Sequence, residues 1–191
     1  LEGFGVQHDV RTLLKYWNSE IYDVRMLLNS RTGSFSDQFP KSIKSFEADK
    51  NILNIPKLRV FFRFINYFLI CRRFKPDVII SFVPGSNYYC FLVKLIFRQK
   101  YKLVLSEHAH VSCAMLDSEN MGNMFMSIYR RTFSDVYNSK YVDYVKCIAE
   151  ESLKDLKDNH KIKSRKLYLI NNPIPIEEII EKSKEETNDE W

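Results

Sequence analysis

The chain has 191 residues, 45% hydrophobic and 28% charged, a balance that builds one domain of ordinary size around a real core and excludes a disordered chain. Lys and Arg number 29 against 24 Asp and Glu, a net charge of +5. That excess suits an anionic partner such as phosphate or a membrane surface, but it is too dispersed for a nucleic-acid footprint.

Gly3 and Gly5 come first, followed by Val6, Val10, Leu13, Leu14 and Trp17 at helical spacing. Two glycines ahead of a helix either let backbone approach a ligand at the helix N-terminus or make a plain turn. A third glycine and a preceding strand, which a dinucleotide fingerprint needs, are missing. Residues 22–28 read as a strand, 29–49 as a long polar loop with Gly33 and Pro40, and 51–55 as another short strand. Residues 57–74 are long enough for a helix, dense in aromatics, and carry Lys57, Arg59, Arg63, Arg72 and Arg73. This apolar body with a basic fringe fits an interfacial helix on anionic lipid. It fits equally a helix packed on a sheet, since Phe61, Phe62, Phe64, Tyr67 and Phe68 wrap more than one face.

Lys75-Pro76-Asp77 breaks the helix. Residues 78–82 then form a buried strand, 83–87 a loop at its carboxyl end, and 87–99 a helix with Tyr88, Leu92, Val93, Leu95 and Ile96 at helical spacing. The next strand, 102–106, centres on Leu103-Val104-Leu105, a continuous apolar run of the kind found in parallel sheets covered on both faces. It stops at Ser106, Glu107 and His108. In an open α/β sheet ligands bind beyond the carboxyl ends of the strands, so this carboxylate and imidazole are a site candidate. The alternative is that Glu107 caps the next segment and His108 packs on a neighbour.

A Met-rich loop runs to Gly122, then a helix over 123–138, a strand over 141–148, a charged helix over 150–159 and a strand over 166–170. A short helix starts at Ile176, and the chain runs out in polar residues over 185–190. Alternating helix and strand with short connections predicts an α/β class, a doubly wound, mostly parallel sheet with helices on both faces. The cysteines Cys71, Cys90, Cys113 and Cys147 lack CxxC spacing, which argues against a zinc site and for free thiols in a reducing compartment. No apolar run reaches about 18 residues, so no transmembrane helix is expected. The start lacks a methionine and the features of a signal peptide, so the chain is expected to begin inside a larger protein.

Four stretches together resemble the N-terminal half of GT-B glycosyltransferases of family 4. They are Lys75-Pro76-Asp77-Val78-Ile79; the strand ending Glu107-His108; Tyr137 with Val142-Asp143-Tyr144-Val145 and Ala149-Glu150-Glu151 through Leu156; and Ile170-Asn171-Asn172-Pro173-Ile174 followed by Glu177-Glu178-Ile179. Ala149 stands where the pattern usually has Ser. The resemblance implies a Rossmann-like acceptor domain over 1–175 and, over 176–191, the start of a linker towards a donor-binding C-terminal domain in cis. The family's first strand is expected before Gly3. Glu178 and Glu186 have the spacing of the family's donor motif, but they sit in a polar tail with no following strand.

The implied function is the acceptor-binding half of an enzyme moving a sugar from a nucleotide-sugar to a glycan or lipid-linked acceptor, inactive alone. The implied setting is cytoplasmic, peripheral on the inner face of a membrane. His108 and Glu107 are the implied catalytic residues; Gly3, Gly5, Ser86 and Asn87 the acceptor-binding ones; Arg59, Arg63, Arg72 and Arg73 the membrane contacts. No metal is called for, and His8 and His110 are assigned structural or surface positions. The rivals are a stand-alone, non-catalytic Rossmann-like binding domain and a dehydrogenase-type nucleotide module. The latter is disfavoured because the strand 22–28 ends in Asn29-Ser30-Arg31 and not in an acidic residue.

Overall fold

The computed structural model describes residues 5–30, 39–49, 56–117 and 124–184. Gly3 and the strand expected over 51–55 lie outside these described residues. In chain order the elements are α1 (Gly5–Lys15), β1 (Arg25–Leu28), β2 (Lys44–Glu47), α2 (Pro56–Phe74), β3 (Val78–Ser81), α3 (Pro84–Ile96), β4 (Lys102–Glu107), α4 (Val111–Asp117), α5 (Met124–Asn138), β5 (Tyr144–Cys147), α6 (Glu150–Asp158), a 3-10 turn (Ser164–Lys166), β6 (Leu167–Leu169) and α7 (Ile176–Lys182). The α/β alternation is as expected.

Three expected boundaries are corrected. The loop expected over 29–49 contains β2, which pairs with β1. Its one large apolar residue, Phe46, packs against Phe74 with ring centroids 4.6 Å apart, too little hydrophobic signal to read as a strand. The loop expected over 83–87 is already helix: Pro84 starts α3, with Val83 extended before it, and proline suits the first helical turn, where its missing N–H costs nothing. The Met-rich loop contains α4.

The chain divides into two compact units, one of Leu1–Met26, Thr32–Ser45 and Asn172–Trp191, the other of Leu27–Arg31 and Phe46–Asn171. In the first, Glu178 of α7 accepts from Arg11 at 2.9 Å and Lys15 at 2.8 Å, both on α1.

The second unit holds a four-stranded sheet of order β3-β4-β5-β6, every pair parallel. Each strand lies beside its predecessor, and right-handed crossovers then put all three connections on one face. Accordingly α3 packs on β3 and β4, and α6 on β5 and β6. On that face Leu103, Leu105, Val145 and Cys147 have no exposure, and Phe133 and Tyr137 of α5 are fully buried. The opposite face presents Val78, Ile80, Tyr144 and Tyr168, each more than a third exposed. The strand expected to be buried over 78–82 is thus covered on one side only, because the three crossovers of this sheet all lie on the other face.

Two charged side chains, half-buried Asp143 and buried Lys166, fasten the unit. Asp143, just before β5, accepts from Lys94 of α3, from the Leu103 N–H at 2.9 Å and from Lys102 at 3.3 Å. Lys166 donates to the carbonyls of Tyr137, Ser139 and Val142, closing the end of α5; burial lowers its pKa to about 8.

Candidate active site

Ser106, Glu107 and His108 end β4 at the carboxyl edge of the parallel sheet. Side chains alternate along a strand, so Glu107 turns to the helix-covered face and Ser106 to the opposite one.

Glu107 is 3% exposed. One carboxylate oxygen accepts from the Asn87 side-chain amide at 2.8 Å and from the Tyr137 hydroxyl. The Asn87 amide also donates to the Tyr137 oxygen at 2.9 Å. Burial pushes the Glu107 carboxyl up to about 7 against the pull of these two donors. Burial, with the Glu107 charge second, pushes the Tyr137 hydroxyl well above its ordinary value. Asn87 has no exposure. Glu107, expected to orient His108 or act on the acceptor hydroxyl, and Asn87, expected to bind the acceptor, form with Tyr137 a buried polar joint that can hold a proton near neutral pH.

His108 is half-buried. Its Nε2 lies 2.9 Å from the Ser106 hydroxyl, and its ring sits 5.8 Å from the Phe82 ring. The Ser106 hydroxyl thus holds one ring nitrogen of an imidazole, the side chain most readily protonated and deprotonated near neutral pH.

Ser86 belongs to a third group. Its hydroxyl accepts from Asn29 at 3.3 Å and from Tyr67 at 3.2 Å, and the Tyr67 hydroxyl donates to Asn29 Oδ1 at 2.8 Å. This joins the end of β1, the middle of α2 and the first turn of α3. Gly5 opens α1 in the other unit, and a Cβ there would meet nothing within 4 Å.

A further cluster was not anticipated. Asp155 of α6, its side chain fully buried, accepts from the Ser112 N–H at 3.0 Å, the Ser112 hydroxyl and the Asn159 side chain at 2.7 Å. His110 Nδ1 lies 3.4 Å from it, and His160 Nε2 lies 3.1 Å from the Ser112 hydroxyl. Burial works to raise the Asp155 pKa, but the Ser112 and Asn159 hydrogen bonds hold it below the usual carboxylate value. Burial lowers that of His160. The carboxylate caps the start of α4 from another element, with His110 beside it. An aspartate inside a charged helix gives no local sign of such a role. Tyr137 did have a signal, since it is one of the residues carrying the family resemblance.

Of the four arginines expected to fringe α2, Arg59 and Arg63 both bind Asp49, while Arg72 and Arg73 are exposed. Among the described residues, no group of three or more His, Cys, Asp or Glu side chains could hold a metal ion.

A Rossmann-like sheet with polar groups gathered at its carboxyl edge defines a class of ligand-binding α/β domains, and similarity to solved structures narrows it. The lipopolysaccharide outer core galactosyltransferase WaaB in its apo form superposes with a TM-score of 0.63 at 16% identity, over 91% of this chain and 44% of WaaB. A glycosyltransferase from Rickettsia africae ESF-5 gives 0.59 at 17% identity, over 98% of this chain and 49% of its own. Both are GT-B glycosyltransferases, and this chain spans about half the length of each. The model of Glycosyltransferase Family 4 matches residues 5–178, and the chain belongs to that family. Comparison with curated proteins gave no match.

Proposed function

We propose that this chain is the acceptor-binding half of a glycosyltransferase that moves a sugar from a nucleotide-sugar to a glycan or lipid-linked acceptor. The observation that carries the reading is His108: a partly open imidazole at the carboxyl end of a strand in a parallel sheet, steadied by Ser106 and Phe82. In this reading His108 contacts the acceptor hydroxyl or the sugar carbon being transferred. Glu107 is a positioning residue, linking the end of β4 to α3 through Asn87 and to α5 through Tyr137. Ser86, on the first turn of α3, lines the acceptor side.

The nucleotide-sugar belongs to a second domain in cis, reached through a linker starting near 176. The 44% and 49% coverage of the two structural neighbours supports this. The WaaB name, an outer core galactosyltransferase of lipopolysaccharide, supports a surface glycan as acceptor class.

The test offers the full-length protein a panel of radiolabelled nucleotide-sugars with extracted glycolipid acceptors. Transfer from at least one donor is expected, as is no nucleotide-sugar binding by residues 1–191 alone. Absence of transfer from every donor, with the acceptor lipid still bound, would favour the non-catalytic binding domain.

A further inference from the structure

The link that carries His108 is short and held at both ends. Its near end is Glu107, the last residue of β4, which pairs with Cys147 of β5 and is fixed by Asn87 and Tyr137. Its far end is His110, whose carbonyl accepts from the Ala114 N–H at 3.0 Å and so begins α4. Only His108 and Ala109 lie between, the first half-buried and the second exposed. Successive Cα atoms are about 3.8 Å apart, so the imidazole has little room to move while both ends hold.

Helix α4 does not secure that far end by itself. It has seven residues, and a helix below about 12 residues is marginal without outside support. The support comes from α6. The Asp155 side chain has no exposure; it takes the Ser112 N–H at 3.0 Å and the Ser112 hydroxyl, and His110 Nδ1 lies 3.4 Å away. Leaving either the carboxylate or the N–H unpaired in the interior is costly, so the contact holds. The end of α6 is anchored in turn on α5. The His160 N–H donates to the Asp155 carbonyl at 3.3 Å, its own carbonyl accepts from the Ser134 hydroxyl at 2.8 Å, and its ring meets that of Phe133 edge-on at 4.9 Å.

Ser112, His160 and Asp155 are not a nucleophile relay. In such a relay the carboxylate backs the imidazole nitrogen remote from the serine. Here the Ser112 hydroxyl and the Asp155 carboxylate lie on the same side of the ring, 3.1 and 3.8 Å from His160 Nε2.

We infer that Asp155 is a positioning residue for His108: by holding Ser112 at the start of α4 it fixes the far end of the link on which the imidazole stands. The inference rests on the reading of His108 as the group that meets the acceptor. Asp155 touches no reacting atom in it; its effect on transfer passes through the placement of one side chain.

Two measurements on the full-length protein test this. In the first, Asp155→Ala should lower kcat for sugar transfer about 10-fold, the scale expected of a slightly misplaced catalytic group, with the KM for nucleotide-sugar unchanged. The double variant His108→Ala with Asp155→Ala should be as slow as His108→Ala alone, because no imidazole is left to misplace. A further loss in the double variant overturns the inference, since Asp155 would then act on the fold and not through His108. In the second, the ring nitrogens of labelled histidines are followed by NMR, with His108→Ala assigning the signal. Asp155→Ala should shift the His108 signal, and Asp49→Ala, which removes a carboxylate from the Arg59 and Arg63 guanidiniums, should leave it in place. A His108 signal unmoved by Asp155→Ala overturns the inference. Should Asp155→Ala not fold, Asp155→Asn, which keeps one oxygen for the Ser112 N–H, replaces it in both measurements with the same direction expected. The NMR result needs no turnover, so a parent protein that transfers no sugar refutes the proposed function while the placement of His108 by Asp155 is still decided.

Discussion

Glu107 and His108 are neighbours in sequence and opposites in setting. Glu107 faces the helix-covered side of the sheet, sealed by Asn87 and Tyr137. His108 is half-buried at the strand end, near Ser106 and Phe82. The contrast extends along the strands, where Leu103, Leu105 and Val145 have no exposure while Val78, Ile80 and Tyr144 on the opposite face are each more than a third exposed. A sheet whose strands advance in one direction receives its right-handed crossovers on one side. One face is thereby closed by helices, and the opposite face is left open.

The largest stability effect should come from the closed face. Leu105→Ala should cost about 3 kcal/mol by loss of buried area and the cavity left behind. Ile80→Ala, on the open face of the edge strand, should cost about 1 kcal/mol or less by chemical denaturation. Equal losses would break the contrast.

Next is the polar joint. Tyr137→Phe removes a hydroxyl donor from a buried carboxylate, and a loss of about 2 kcal/mol is expected, with the Glu107 pKa displaced further upward. Asp155→Ala should cost about as much, because the Ser112 N–H and hydroxyl lose their acceptor at the start of α4.

Glu107 also predicts a pH dependence. Its folded pKa of about 7 lies above the ordinary 4.5, so the folded state holds the proton more tightly than the unfolded one. Stability is therefore greatest below pH 4.5 as far as this group is concerned, and falls as pH rises through about 7, by about 3 kcal/mol in all. Glu107→Gln should abolish that fall, leaving the variant more stable than the parent at pH 8. A variant with the parent's slope between pH 5 and 8 would assign the titration elsewhere.

The smallest effect expected is at Arg72. Arg72→Ala should leave stability within about 0.5 kcal/mol, whereas Asp49→Ala, which strands the partly buried Arg63, should cost more.

Much of this architecture is legible in the residues. Leu103-Val104-Leu105 announces β4 because a continuous apolar run between polar ends has few other uses, and Lys75-Pro76-Asp77 marks the end of α2. What escaped reading depends on partners far along the chain. Asn87 reads as a loop residue after Pro84-Gly85, yet it is wholly buried because Glu107 and Tyr137, 20 and 50 positions away, accept its amide. Arg59 and Arg63 read as a basic fringe because Asp49 precedes the helix and lies outside its repeat. The role of Asp155 depends on α6 meeting the start of α4. His108 stands out in the sequence by its place at a strand end, while its neighbours Ser106 and Phe82 depend on the pairing of β3 with β4.

The most direct test compares initial rates of sugar transfer by the full-length protein carrying His108→Ala with those of the Glu107→Gln protein, alongside their thermal unfolding. The account predicts a loss of about 100-fold for His108→Ala with unfolding unchanged, and for Glu107→Gln a rate within a few fold of the parent with an altered pH dependence of stability. Full transfer activity in His108→Ala, or a large rate loss confined to Glu107→Gln, would contradict it and place the chemistry on the closed side of the sheet.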